Sequence, residues 1–348
     1  MPPFIMTIVG ARPQFVKAAV VSRALRTRGR VQEVIVHTGQ HFDDNMSGAF
    51  FRDLDIPAPA YNLDIHGGPH GQMTGRMLEG LEQLMLARKP ALVLVYGDTN
   101  STLAGALAAA KLHVPVAHVE AGLRSFNRRM PEEVNRVMVD HLSALLFCPT
   151  ATSVDNLARE GIREGVQFVG DVMHDATLFA RSVAETKSEA LERLGLTAGR
   201  YAICTLHRSE NTDDPARLQA LLAHVERAAG ELEVLLPVHP RTRAVLEHAG
   251  LATGRLRLLE PLGYFDMQRL LACAALVLTD SGGLQKEAYF HRIPCVTLRE
   301  ETEWVETVTA GWNRLWRSPA YASPRVDIPD YGTGNAGAQV AAALEAWL

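Results

Sequence analysis

The amino-acid sequence predicts an α/β fold built from two doubly wound, Rossmann-like domains. Short runs rich in β-branched residues alternate with longer helical patterns along the chain. These runs are apolar throughout, which is typical of parallel strands that helices cover on both faces. They fall into two successive series, and a chain of 348 residues is long enough for two domains of ordinary size.

The first series of strands is predicted to form the N-terminal domain, residues 1–170. Its strands are expected at 4–9, 34–37, 91–96, 114–119, 145–148 and 167–169. Helical periodicity fills the intervals, as at 72–88, which is the pattern of strand–helix–strand units in a parallel sheet.

The second series predicts a C-terminal domain, residues 171–334, which opens with a long helix at 176–194. Its strands are expected at 201–206, 234–238, 257–259, 276–279 and 295–298, with a helix at 216–229. A last amphipathic helix is expected within 335–348. Because ligands bind beyond the carboxyl ends of the strands in such sheets, we expect the two domains to face a cleft that holds the site.

Composition and motif content exclude several classes of protein. The net charge of -4 gives no reason to expect a nucleic acid or a membrane as partner. The four cysteines lack CxxC spacing and indicate free thiols, and the opening MPPFIMTIVG is too short for a signal peptide, so we expect a cytoplasmic protein. The chain also lacks a GxGxxG fingerprint, HxxxH spacing and a GxSxG motif, so no cofactor or metal is expected.

Charged residues follow the ends of several strands in the first series. Arg12 and Lys17 lie at a helix start after the first strand, where two cations suit a diphosphate. Asp98 follows the strand at 91–96, and Glu120 ends the next one, where a buried charge is costly unless it is paired or functional. Glu132 begins a helix in MPEEVNR, and all three carboxylates are candidate catalytic groups.

Structural explanations for these carboxylates also exist. Asp98 stands where a helix N-cap is expected. Glu120 could pair with Arg124, and Glu132 could form an i,i+4 pair with Arg136.

Residues of types that can bind phosphate follow several strands of the second series. His207 and Arg208 follow one strand, and His239 and Arg241 follow another. Gly282 and Gly283 open a helix and leave its first amides uncovered for a phosphate. Glu287 lies one turn further on, within reach of a ribose diol.

Taken together, these segments resemble one family over nearly the whole chain. GARPQFVK, HTGQHFD, YGDTNSTLAGALAA, HVEAGLRS, MPEEVNR, LHRSENTDD, PVHPRTR and LTDSGGLQKEA occur in this order. The series is similar to the non-hydrolysing UDP-N-acetylglucosamine 2-epimerases. IVHTGQHFD, NLDIHGGPHGQMTGRML and SFNRRMPEEVNR most resemble the branch that acts on UDP-2,3-diacetamido-2,3-dideoxyglucuronate.

The resemblance implies a GT-B-type fold with UDP held mainly by the C-terminal domain, and a terminal helix that crosses back to the N-terminal domain. It also implies a homodimer formed through the N-terminal domain. The catalytic residues that it implies are Asp98, Glu120, Glu132 and His207. The residues that it implies for UDP or substrate binding are Arg12, Lys17, Arg208, His239, Arg241, Tyr264, Ser281, Gly282, Gly283 and Glu287.

The reaction implied is inversion at C2 of a UDP-N-acetylglucosamine-type sugar, giving UDP-ManNAc from UDP-GlcNAc, by elimination and re-addition of UDP. The same reaction on UDP-2,3-diacetamido-2,3-dideoxyglucuronate is an alternative. A GT-B glycosyltransferase and a non-catalytic nucleotide-sugar binder stay open as rivals. Members that need UDP-GlcNAc as activator carry HRRE where this chain has HRSE, so Ser209 predicts no activator site.

Overall fold

The computed structural model describes residues 3–40, 54, 56–238, 243, 245–246 and 254–348 of the chain. It divides into two compact units. The first contains Met1–Ala176 and Pro329–Leu348, and the second contains Thr177–Ile328. Each unit has its own sheet and its own buried apolar clusters on the faces of that sheet.

The first unit is built on a seven-stranded parallel sheet in the order β3-β2-β1-β4-β5-β6-β7. Its strands are β1 Phe4–Val9, β2 Gln32–His37, β3 Tyr61–Asn62, β4 Leu92–Tyr96, β5 Val116–Val119, β6 Leu145–Cys148 and β7 Val166–Phe168. The order reverses between β1 and β4, so the loops after these strands are where a ligand is expected.

Helices connect the strands of the first unit. They are α1 Arg12–Arg28, α2 His70–Arg88, α3 Asn100–Lys111, α4 Pro131–Leu142, α5 Ala151–Arg159 and α6 Val172–Lys187, which runs on into the second unit. Pro13 fits the first turn of α1, and Gly29 ends that helix in the left-handed region at φ 67°. The last helix, α13 Ala336–Trp347, packs against α1, and its Glu345 accepts a hydrogen bond from Arg28 at 2.8 Å.

The second unit has a six-stranded parallel sheet in the order β10-β9-β8-β11-β12-β13. Its strands are β8 Tyr201–Thr205, β9 Glu233–Pro237, β10 Leu256–Leu259, β11 Leu276–Thr279, β12 Cys295–Thr297 and β13 Asn313–Leu315. Its further helices are α7 Ala190–Leu194, α8 Ser209–Thr212, α9 Pro215–Ala229, α10 Tyr264–Cys273, α11 Gly282–Phe290 and α12 Val305–Thr309.

The structure departs from the sequence expectation in two places. The single helix predicted at 176–194 is wrong, because α6 ends at Lys187 and α7 begins at Ala190. Ser188 separates them, since its hydroxyl donates to Asp266 at 2.6 Å and accepts the Ala190 amide at 3.3 Å. β3 and β13 were not predicted, because their short segments YN and NRL contain polar residues and do not form an apolar run.

No helix among the described residues is long and apolar enough to span a membrane.

Candidate active site

Asp98 follows β4 after Gly97 and does not cap α3. Thr99 is the N-cap, with its side chain accepting the Thr102 amide at 3.4 Å. The Asp98 carboxylate instead accepts two hydrogen bonds from Arg136 of α4, at 2.6 Å from Nη2 and 2.9 Å from Nε. Asn135 donates its side-chain amide to the Asp98 carbonyl at 2.8 Å. One helix therefore fixes both the backbone and the side chain of this candidate catalytic residue.

Glu120 directly follows β5 and forms a buried ion pair with Lys17 of α1. The Glu120 backbone is in the left-handed region, at φ 74°, which is uncommon for a residue with a side chain and is often found at functional sites. A Cβ on Gly97 would stand 3.3 Å from Glu120 Oε2 and 3.1 Å from Lys17 Nζ. The Glu120 carboxylate thus lies against the residue that precedes Asp98, and the structure brings these two candidate residues together.

Glu132 and Glu133 are neighbours in the first turn of α4 but have different surroundings. Glu133 is buried and accepts the amides of Ser125 and Phe126 at 2.8 and 2.9 Å. Burial acts to raise its pKa, but these backbone hydrogen bonds and the Arg136 charge outweigh it and lower the pKa. Glu133 therefore holds the loop before α4.

Glu132 is half-buried, and no ion pair of its carboxylate is found within the described parts of the chain. The i,i+4 pair expected between Glu132 and Arg136 is wrong. Arg136 pairs with Glu133 at 3.1 Å and with Asp98, because the turn after β4 brings Asp98 next to α4.

Arg124 does not pair with Glu120 either, which corrects the structural alternative for that residue. Its guanidinium contacts Asp140 at 2.7 Å and Glu160 at 2.7 and 2.8 Å. Asp140 also lies 2.7 Å from His118 Nδ1 and accepts the Gly122 amide at 3.1 Å. Burial acts to raise the Asp140 pKa, but His118 and Arg124 outweigh it and lower the pKa.

The other ring nitrogen of His118 reaches the turn before Asp98. His118 Nε2 lies 2.8 Å from the Gly97 carbonyl oxygen, and the ring is fully buried. The buried network therefore ties the turn after β4 to the turn after β5, where Gly122 follows Glu120.

In the second unit, His207 after β8 is held by Asp280 after β11. The Nδ1 atom of His207 lies 2.9 Å from Asp280 Oδ1. Asp280 is fully buried and also accepts the amides of His207 and Arg208 and the side-chain amide of Asn211. Burial acts to raise the Asp280 pKa, but the His207 charge and these hydrogen bonds lower it. Since Nδ1 faces Asp280, Nε2 of the half-exposed ring is the nitrogen left for a substrate.

The glycines of the predicted phosphate loop begin α11. Ser281 caps this helix by accepting the Leu284 amide at 3.4 Å. A Cβ on Gly283 would find only Ser281 Oγ, at 4.0 Å, so the first turn is open at this residue. Glu287 lies one turn further and accepts a hydrogen bond from Gln268 of α10 at 2.9 Å. The N-terminus of α11 can thus bind an anion, with a carboxylate one turn away.

The remaining predicted residues are less informative. Arg12 is the first residue of α1 and is half-buried, and Tyr264 is the buried first residue of α10. Arg208 lies beside His207 before α8. His239 and Arg241 fall outside the described residues. Within the described chain, no group of three or more His, Cys, Asp or Glu side chains could hold a metal ion.

Comparison with known proteins decides the family. The family model described as UDP-N-acetylglucosamine 2-epimerase matches residues 23–345. The chain belongs to the UDP-N-acetylglucosamine 2-epimerase family. A Pseudomonas aeruginosa protein named UDP-2,3-diacetamido-2,3-dideoxy-D-glucuronate 2-epimerase is 56% identical over 89% of this chain and 87% of its own. A Methanocaldococcus jannaschii UDP-N-acetylglucosamine 2-epimerase is 43% identical over 88% of this chain and 87% of its own.

Solved structures of epimerases share the fold. The crystal structure of the Methanocaldococcus jannaschii UDP-GlcNAc 2-epimerase in complex with UDP-GlcNAc and UDP aligns with a TM-score of 0.90 and 39% identity. The alignment covers 98% of this chain and 99% of that one. The predicted α/β class of GT-B type is thereby confirmed, and so is the predicted activity class: the protein is an isomerase (EC 5.1.3) that epimerises UDP-sugars at C2.

Three partners of the candidate residues in this epimerase were missed by sequence reasoning. Arg136 was assigned to Glu132, and neither Asp280 nor Gln268 was considered as a partner of a candidate residue. Asp280 stands in the same TDSGG motif as Ser281, so its position at the end of β11 was a usable signal. Gln268 carries no such signal, since a glutamine within a helix is usually a surface residue.

Proposed function

We propose that the protein inverts C2 of a UDP-2-acetamido sugar by eliminating UDP and adding it back. The observation that carries this mechanism is the pair of carboxylates, Asp98 and Glu120, on two adjacent strand-end turns. Two faces of one carbon must exchange a proton, so a single carboxylate is not enough. One carboxylate removes the C2 proton as the C1–O bond to UDP breaks, which leaves a 2-acetamidoglucal. UDP then adds back to C1 while a proton arrives on the other face of C2.

The cations of the candidate site have a role in the leaving-group step. Departing UDP gains negative charge, which fixed positive groups and helix amides stabilise. We assign Arg12, Lys17 and His207 to this task, with the amides at Ser281, Gly282 and Gly283. Lys17 already neutralises one carboxylate, and Asp280 orients His207. Glu132 assists or orients the proton transfer.

We propose the division of labour that the sequence predicts. Residues 1–170 supply the proton-handling carboxylates, residues 171–334 hold UDP, and residues 335–348 form a terminal helix that crosses back to the N-terminal domain. Arg208, His239, Arg241 and Tyr264 are assigned to UDP or substrate binding, and Glu287 to the ribose.

UDP-2,3-diacetamido-2,3-dideoxyglucuronate is our preferred substrate, ahead of UDP-GlcNAc. The support is the 56% identity with the Pseudomonas aeruginosa relative of that name, against 43% with the UDP-GlcNAc epimerase of Methanocaldococcus jannaschii. The C6 carboxylate of a uronate needs a cation, and Arg128 and Arg129 are exposed in the loop that Glu133 holds. These two arginines are our candidates for this contact.

The decisive experiment incubates the protein with each of the two UDP-sugars in D₂O and follows C2 by NMR. We expect deuterium at C2 and a second epimer, with a higher kcat/KM for the diacetamido uronate. A glycosyltransferase would leave C2 unlabelled, and so would a protein that only binds nucleotide sugars. A higher kcat/KM for UDP-GlcNAc would reject the substrate preference but not the mechanism.

We also propose a cytoplasmic homodimer that forms through the first unit. Large apolar side chains are exposed on two of its helices, with Leu86 of α2 at 58%, and Val134 and Met138 of α4 at 45% each. Large exposed apolar side chains are candidates for contacts in a protein interface. Analytical ultracentrifugation should show a dimer that Met138→Asp weakens, and a monomeric wild type would reject the dimer.

A further inference from the structure

A buried polar chain lies behind Glu287 in the second unit. Gln268 of α10 is fully buried and lies between Glu287 of α11 and His291, the residue that follows this helix. Its side-chain Nε2 donates to Glu287 Oε1 at 2.9 Å, and its Oε1 lies 2.7 Å from His291 Nε2. Glu287 and His291 are themselves less than 10% exposed. The three side chains come from two helices that no local sequence pattern links.

The chemistry of the three side chains allows only one arrangement of hydrogen-bond donors and acceptors. A carboxylate can only accept, so the amide group of Gln268 must face Glu287 and its carbonyl oxygen must face His291. His291 therefore donates from Nε2. Burial, followed by the nearby Arg181 charge, lowers the pKa of His291 to about 4, so the ring is neutral near pH 7 and its Nδ1 carries no proton.

This arrangement restricts the Glu287 carboxylate. Turning the Gln268 amide over would place its oxygen against the carboxylate and its NH₂ against the donating nitrogen of His291. Both hydrogen bonds would be lost among buried side chains, where unmade polar contacts are costly. Gln268 is thus held in one orientation by His291, and it holds Glu287 Oε1 in turn.

We propose that Gln268, oriented by His291, is a positioning residue that sets Glu287 to accept the two ribose hydroxyls of UDP. The inference rests on the proposed function, in which Glu287 binds the ribose. A vicinal diol presents two donors at a fixed separation, so a carboxylate must present its two oxygens at a matching angle. Each carboxylate oxygen can accept more than one hydrogen bond, so Oε1 can serve Gln268 and a hydroxyl together.

The test compares UDP with 2′-deoxy-UDP, which lacks one of the two hydroxyls. Calorimetric titration of the wild type should show a preference for UDP of roughly 10- to 100-fold, as expected for a hydrogen bond to a charged group. Glu287→Ala should abolish the preference. Gln268→Leu should reduce it to roughly threefold or less while the affinity for 2′-deoxy-UDP stays within about twofold of wild type. In turnover, this variant should raise KM and leave kcat nearly unchanged.

Gln285→Leu is the matched control, because it makes the same change at a second buried glutamine, which lies on α11. Gln285 donates to the Ser281 carbonyl at 3.3 Å and accepts from Thr302 at 2.7 Å, and within the described residues it forms no hydrogen bond with Glu287. Gln285→Leu should weaken the binding of UDP and of 2′-deoxy-UDP by the same factor, so the ratio of the two affinities should stay at the wild-type value. His291→Phe removes the hydrogen-bond donor that orients Gln268. It should lower the ratio of the UDP affinity to the 2′-deoxy-UDP affinity, as Gln268→Leu does.

Several results would overturn the inference. If Gln268→Leu prefers UDP over 2′-deoxy-UDP as strongly as the wild type does, the inference is wrong. If Gln268→Leu does not fold, the same result in His291→Phe would reject it. A wild type that binds both nucleotides equally would remove the ribose role of Glu287 and the inference with it. Deuterium exchange at C2 is measured separately, so its absence in a wild type that prefers UDP would reject the proposed function alone.

Discussion

Each of the two central carboxylates meets a cation from a distant part of the chain. Asp98 meets Arg136, and Glu120 meets Lys17, across separations of 38 and 103 residues. Their positions could be predicted because strand ends in parallel sheets are recognisable from apolar runs. Their partners could not, because a local pattern offers only neighbours such as Arg124, and the fold brings other cations closer. The same holds for Gln268, which a sequence cannot tell from a surface glutamine.

Substitution of the two carboxylates should stop the chemistry without unfolding the protein. Asp98→Asn and Glu120→Gln keep the side-chain size but remove the proton acceptor, so each should lower kcat roughly 100-fold or more. Deuterium uptake at C2 measures this directly. Glu79→Gln, at an exposed position of α2, is the control and should keep wild-type exchange. Near-normal exchange in either active-site variant would remove that residue from the proposed proton transfer.

At the scale of elements, α4 contacts both turns that carry the candidate catalytic carboxylates. Arg136 and Asn135 hold Asp98, and Asp140 binds the Gly122 amide after Glu120. His118 contacts the Gly97 carbonyl oxygen and links the two turns. The sequence predicted that this helix begins within MPEEVNR. It did not predict that buried polar groups of α4 face the strand ends, because charged residues in a helix usually face solvent.

A substitution in the turn between β4 and α3 can test whether the packing of Lys17 and Glu120 against this turn matters for catalysis. Gly97 has φ 60°, and a Cβ there would press on Lys17 Nζ at 3.1 Å and Glu120 Oε2 at 3.3 Å. Gly97→Ala should therefore lower kcat at least roughly 10-fold, and also lower the free energy of unfolding by roughly 1–2 kcal/mol for the left-handed backbone.

Gly29→Ala separates the two effects. Gly29 has φ 67° at the end of α1, and a Cβ there would meet only the Arg26 carbonyl oxygen at 3.9 Å. This variant should lose similar stability in urea unfolding but keep the wild-type kcat. If both glycine variants keep full activity, the close packing of Lys17 and Glu120 on Gly97 has no catalytic role.

For the molecule as a whole, the alternation of strands and helices was sufficient to predict two parallel sheets, and most strand bounds agree within two residues. The edge strands β3 and β13 and the break at Ser188 were not predicted, because they depend on contacts with other elements. Family resemblance supplied the reaction, since no composition or spacing distinguishes an epimerase from another enzyme that binds UDP-sugars.

The stability of the second unit should depend on pH through His291. Its pKa is lowered from 6.5 to about 4 by burial, so the unfolded chain binds a proton between these values and the folded chain does not. The free energy of unfolding should therefore fall as pH drops from about 6.5 towards 4, by at most about 3 kcal/mol.

Urea unfolding followed by tryptophan fluorescence can measure this, because Trp304, Trp312 and Trp316 lie in the second unit. His291→Phe removes the titrating ring and should show a smaller fall over the same pH range. Acidic groups with lowered pKa, such as Asp280, contribute equally to both proteins. Identical pH dependence in the two proteins would show that His291 does not titrate as its burial requires.

The kinetics of the whole enzyme should be hyperbolic and free of a lag. Ser209 begins α8, and the family resemblance implies that activator-dependent members have a second arginine at this position. An arginine can bind a phosphate with two hydrogen bonds and a full charge, whereas a serine hydroxyl offers one neutral donor. Initial rates should therefore follow a single saturation curve from the lowest substrate concentration, and added UDP-GlcNAc should not activate turnover of the diacetamido uronate. Ser209→Ala should behave as wild type. A sigmoidal curve, or exchange that starts only after a second UDP-sugar is added, would mean that an activator binds without this arginine.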